Sequence, residues 1–368
     1  MDYKWFRLSK IILGEINLTQ NELKEYSQNQ ILNDCITITN IIYSCITTNR
    51  NIAYYATSFL YLNMFTYEAN DFCEKYNIDL GNITDLEFKT FLKTFRNKSV
   101  KLYQDMANHS FNSLNTFALS ENDLFENFYN KTDVNNYVLF LVDKYPVCNY
   151  HLLCKKILNI SVGKYENFKD KLEQYMFNIF GFMASKSKIT HCSLTKINLP
   201  EINTFTADIN TLRSYSNFRI KDVTINMALL DILCVLNYYI LIFKKLNTDW
   251  ILDLKIKYIT LYLVLESLEG VFKYCLEQKI KLPYLNYMIN YISNLKQECI
   301  FNLPRKVCMH YDYTQAKYEF DKDPVIEAFE TKFNMNIEKV IELIDYKMQE
   351  LFNNLNNYIF IKDIKTIK

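Results

Sequence analysis

Apolar residues recur at three- and four-residue intervals along most of this chain, which is the period of a helix with one buried face. In "MNIEKVIELIDYKMQELFNNLNNYIF" (335–360), Ile337, Val340, Ile341, Ile344, Met348, Leu351 and Leu355 fall on one such stripe. "INMALLDILCVLNYYILIFKKL" (225–246) is apolar nearly all round, as a central bundle helix is, with Asp231 and Asn237 as its polar interruptions. A long helix is predicted over 249–280, ended before Pro283, and a third over 284–301. Asn302-Leu303-Pro304 then interrupts the pattern. A new helix starts there with Pro304 in its first turn, where a missing N–H leaves no intrahelical bond unmade. Residues 225–362 thus read as a bundle of four or five helices.

The first half has the same character, with helices predicted at 20–27, 30–48, 51–76, 85–116, 120–130, 133–157 and 165–185. Between the halves, 185–223 is rich in Ser and Thr, contains Pro200 and loses the helical period. The expected fold class is all-α. Two helical-bundle halves, 1–184 and 224–368, flank an irregular connector, 185–223, with room for a short strand pair. A faint internal repeat joins the halves. "LYLNMFTYEA" (60–69) and "LYLVLESLEG" (261–270) share Leu, Tyr, Leu and Glu at matching positions. If it is real, the first half is a diverged copy of the second, and shared helix composition explains it equally well.

Composition sharpens this picture. The chain has 368 residues but only five Gly and five Pro, against roughly 7% and 5% in average proteins. Sheet-rich folds need turn residues every few positions, so the scarcity favours long helices. It also removes Gly-rich phosphate loops and dinucleotide-binding turns from consideration. The formal net charge is +1, so the chain is no basic nucleic-acid coat, and any contact with RNA must be local. The first twenty residues mix charge into their apolar positions without a signal-peptide pattern. No apolar run reaches the length of a membrane span. The expectation is a cytoplasmic protein without a membrane partner.

Ten cysteines are scattered, many at apolar positions such as Cys35, Cys45, Cys73, Cys234 and Cys275, and read as small buried thiols. Cys148, His151 and Cys154 stand at i, i+3 and i+6, and His191 and Cys192 form a second pair. Thiolates and imidazoles are zinc ligands. On a helix, however, Cys148 and Cys154 lie far apart, and no C-x2-C knuckle is present. No metal site and no cofactor are expected.

The chemistry-bearing stretch is "NLPRKVCMHYDY" (302–313). It holds one of six arginines and one of four histidines, Arg305 and His310, with four residues between them. An apolar bundle with R-x4-H opening a late helix, behind a long helix bearing the acidic Glu269, resembles the HEPN superfamily. The resemblance covers about 140 residues, 225–362, and Lys306 stands where that family often has Asn. It implies a metal-independent endoribonuclease of a microbial defence, toxin or abortive-infection system. It also implies a homodimer whose two motifs line one cleft, or a pseudo-dimer if the first half is a diverged copy, and a regulatory partner such as an antitoxin.

The residue types suit that reaction. RNA carries its own nucleophile, the 2′-OH. His310 can transfer protons near neutral pH, and Arg305 offers a planar fork for a phosphate and its developing charge. The two stand roughly 140° apart around a helix, so a single copy makes a poor site. Lys306, Tyr311, Asp312 and Glu269 are the supporting candidates: Tyr311 to stack on a base, Asp312 to orient His310. Each also has an ordinary structural reading, as a cap, a half-buried aromatic or a solvated acid. The rival expectation is a non-catalytic interaction or regulatory module on an inactive HEPN-like fold.

Overall fold

The structure is a computed structural model. It describes residues 26–27, 29–31, 33–34, 37, 41, 136–149, 200–208, 223–246, 248–313 and 323–360. The expected helices at 51–76, 85–116, 120–130 and 165–185 lie outside the described residues, as does the first copy of the repeat. The described part is mostly helical, with one small sheet.

Six helices follow one another in the C-terminal half: α1 (Val223–Leu241), α2 (Trp250–Glu277), α3 (Leu285–Cys299), α4 (Asn302–His310), α5 (Pro324–Phe333) and α6 (Ile337–Ile359). Five of them match the apolar periodicity. The addition is α5, whose start is written in side chains: Asp323 accepts from the Val325 N–H at 2.8 Å and Pro324 occupies the first turn. Asn336 caps α6 through the Lys339 N–H, and Asp249 caps α2 through Ile251 and Leu252. Asn334, in the left-handed region, ends α5.

α1 and α2 form the centre. Leu229, Leu230, Ile232, Leu233 and Leu236 of α1 are all buried, as are Ile256, Tyr258, Leu261, Leu265 and Leu268 of α2. α3, α4 and α6 pack against α2, and α6 also packs against α1. The α3–α4 turn is clamped from α2. Tyr258 Oη accepts from the Phe301 N–H at 2.7 Å and donates to the Phe301 carbonyl.

A three-stranded antiparallel sheet covers α1, in the order β2-β1-β3: β1 (Asn136–Val142), β2 (Tyr145–Asn149) and β3 (Asn203–Asp208). This corrects the helix predicted over 133–157. A continuous apolar run such as "YVLFLV" has no period of its own, and it suits a strand buried on both faces equally well. Leu139, Phe140, Leu141 and Val142 are indeed all buried. Asp143 takes a positive φ at the hairpin turn, and Pro146 sits at a register shift in the edge strand β2, where its missing donor is tolerated. β3 does come from the connector, but its partner is β1 of the first half. The sheet is tied down by Tyr145 against Phe352 of α6 and by the Pro146 carbonyl, which accepts from Asn237.

Tyr26, Ile31 and Ile41 of the first half belong to the same hydrophobic cluster as α1–α6. Among the described residues, no helix is long and apolar enough to cross a membrane.

Candidate functional site around α4

α4 is nine residues long and carries both Arg305 and His310. Its buried face is Leu303, Pro304, Val307 and Cys308, which leaves Arg305 half-buried at the flank and His310 exposed as the last helical residue.

Arg305 is held. Its Nη1 donates to Tyr262 Oη of α2 at 3.1 Å, and its Nη2 donates to Asn302 Oδ1 at 3.1 Å. The guanidinium lies 5.5 Å from the centre of the Tyr262 ring, within cation–π range. Each Nη uses one N–H on these partners and keeps another. Nε is sealed from solvent and has no partner among the described residues. By contrast, neither ring nitrogen of His310 has a hydrogen-bond or ion-pair partner there. Asp312, at the half-buried position two residues on, bonds the Lys306 carbonyl through its backbone N–H and does not hold the imidazole. Lys306 is half-buried on the same helix, one position from Arg305.

Tyr311 takes a role that spacing alone does not disclose. It follows His310 in the left-handed region, with φ 49°, and is 4% exposed, too little to stack on a base. Its hydroxyl donates to Asp34 Oδ2 at 2.9 Å, and its carbonyl accepts from Ser27 Oγ. The Lys255 ammonium lies 5.1 Å from its ring centre and 2.8 Å from Asp34 Oδ2, with both side chains buried. Gln30 Oε1 is a further acceptor for Lys255. Burial raises the Asp34 carboxyl above the usual range; the charge and hydrogen bonds of Lys255 and Tyr311 only partly offset it.

Glu269 is committed elsewhere. It sits seven residues beyond Tyr262 on α2, roughly 10 Å along the axis. There it pairs with Lys273 at 2.7 Å and with Lys296 of α3, which also holds Glu266 at 2.7 Å. Burial tends to raise its carboxyl, but the lysine hydrogen bonds and charges outweigh this and leave it below the ordinary value. The structure therefore joins Glu269 to a lysine cluster and not to Arg305.

Cys148 is buried in strand β2, so the helical spacing that linked it to His151 and Cys154 does not apply at its position. His151, Cys154, His191 and Cys192 lie outside the described residues. Among the described residues no three His, Cys, Asp or Glu side chains gather as metal ligands. The sequence reading missed Tyr262, Lys255 and Asp34. Two charged residues, Lys255 and Lys257, inside the apolar pattern of α2 were the available signal, since a buried lysine requires a partner.

Comparisons with protein-family models, with curated proteins and with solved structures each found no match to this chain.

Proposed function

We propose that this chain is a metal-independent endoribonuclease of a microbial defence or toxin system, acting as a dimer through Arg305 and His310. The observation that carries the reading is the exposed His310 imidazole, with neither nitrogen engaged among the described residues, on the same short helix as a fixed arginine fork. In the reaction His310 takes the 2′-OH proton, and the 2′-oxygen attacks the adjacent phosphorus. The histidine of a second copy protonates the leaving 5′-oxygen, giving a cyclic phosphate and a 5′-hydroxyl. Arg305 meets the phosphate with the N–H groups that Tyr262 and Asn302 leave unused. Because those partners fix its plane in advance, little side-chain freedom is lost on binding.

The test is cleavage of total tRNA and mRNA in EDTA by the wild type and by His310→Ala. Cleavage that the variant loses supports the enzyme. Equal cleavage by both, or none by a folded wild-type dimer, overturns it. One observation favours the second reading, a helical interaction or regulatory module: Arg305, Tyr311 and Glu269 all hold the fold together. On that reading neither protein cleaves RNA, and Arg305→Ala acts on stability alone.

A further inference from the structure

α4 is pinned to α2 at two points. Near its start, Arg305 rests on Tyr262. Past its end, Tyr311 lies over Lys255. The pins match in length. Seven residues separate Lys255 from Tyr262, roughly 10 Å along α2, and six separate Arg305 from Tyr311, roughly 9 Å along α4. They pair in opposite order, so the helices run antiparallel here. His310 is adjacent to the second pin.

That second pin is built expensively. The backbone N–H of Asp312 reaches back to the Lys306 carbonyl, which is the closure of a helix whose left-handed end residue is usually Gly. A tyrosine there costs about 1–2 kcal/mol in backbone conformation. A buried Lys–Asp pair, for its part, adds little net stability over an apolar substitute. Ending the helix needs neither feature. Both become intelligible if the side chain of Tyr311 must lie in one place. Asp34 holds its hydroxyl and Lys255 lies against its ring, while Ser27 holds the backbone carbonyl of the same residue. Two of these residues come from the first half of the chain. The same stretch also reaches across to α5, where Tyr26 Oη donates to the Asp323 carboxylate and the Tyr26 ring meets that of Tyr313 edge-on.

We propose that Asp34 and Lys255 are positioning residues for His310, acting through Tyr311, and that the first half of the chain controls the site by this contact. The inference rests on the ribonuclease reading for its consequence in catalysis, but the placement of His310 is measurable without it.

The experiment uses the full chain with 13C-labelled histidine, the His310 signal being assigned by its loss in His310→Ala. Tyr311→Phe removes the bond to Asp34 and keeps the ring over Lys255. The expected result is a shifted or broadened His310 signal, with those of His109, His151 and His191 unmoved. RNA cleavage should fall about tenfold or more in kcat with little change in KM, as misplacement of a catalytic group does. A folded Tyr311→Phe with unchanged His310 signal overturns the proposal, whether or not the chain cleaves RNA. A chain that cleaves no RNA but shows the shift fails the ribonuclease reading and keeps the positioning one. If Tyr311→Phe does not fold, Ser27→Ala decides by the same signals. It deletes only the bond to the Tyr311 carbonyl, and an unmoved His310 there also overturns the idea.

Discussion

Asn237 and Asn356 form a reciprocal amide pair deep in the core, and breaking one side should cost more than removing both. Asn237 is 0% exposed and Asn356 6%, so water cannot replace a lost partner. Asn356 Nδ2 donates to Asn237 Oδ1 at 3.0 Å, and Asn237 Nδ2 donates to Asn356 Oδ1 at 3.3 Å and to the Pro146 carbonyl at 2.8 Å. Asn356 Nδ2 also reaches the Phe352 carbonyl within its own helix. Asn237→Leu keeps the volume but leaves three groups unmet: the Pro146 carbonyl, Asn356 Oδ1 and the Asn356 N–H that Asn237 Oδ1 accepted. At about 1–3 kcal/mol for each unmet buried group, the loss is about 3–9 kcal/mol, a large share of the 5–15 kcal/mol typical of a domain. Adding Asn356→Leu removes both unmet groups of Asn356 and leaves only the Pro146 carbonyl, so the double variant should lose about 1–3 kcal/mol. Urea denaturation followed by far-UV circular dichroism reads both, with an unchanged slope confirming comparable unfolding. A loss below about 1 kcal/mol for Asn237→Leu, or a double variant as weak as the sum of the singles, refutes the reasoning.

Three further outcomes follow from the same contacts. Burial lowers and the paired carboxylates raise Lys296, with a net rise, while Glu269 is lowered. Their contribution is therefore full between the ordinary glutamate and lysine ranges. It is lost as pH falls through the depressed Glu269 value or climbs through the elevated Lys296 value. Lys296→Met should cost stability near neutrality and progressively less as pH falls below the ordinary glutamate range; an equal cost throughout, by urea midpoint, contradicts the pairing. Asp323→Ala should destabilise by about 1–2 kcal/mol, more than Asp249→Ala, because Asp323 caps α5 and also accepts from Tyr26; the reverse order in thermal melts would count against the Tyr26 contact. Burial pushes the Cys299 thiol up to about 11 and holds Cys308 and Cys234 well above the usual range. Peptide-level mass spectrometry after a maleimide pulse should find these three modified only once the protein is unfolded.

The helices of the second half were legible because their signals are local. The apolar stripe of 337–355, the Pro304 start and the stop before Pro283 each act within a turn or two of the chain. The cap of α5 was equally local, in Asp323-Pro324 and Asn334, and only needed to be read as a separate start. The sheet was not legible as such. "YVLFLV" has no period to separate a strand from a buried helix, and what makes it a strand is pairing with β3, about sixty residues away. Pro146, inside the predicted helix, was the one local objection.

At the site the division has the same physical cause. Sequence alone put Arg305 and His310 on one helix, with roughly 140° between them, and it marked Asn237 as a polar residue inside an apolar helix. Local periodicity determines such things, because each depends on neighbours within a few residues. Which groups then meet depends on packing between elements far apart in the chain. Only the tertiary structure gave Arg305 to Tyr262, Glu269 to Lys296, and Tyr311 to an aspartate 277 residues earlier. A buried charge must find its partner wherever the fold brings one, and no spacing rule records where that is.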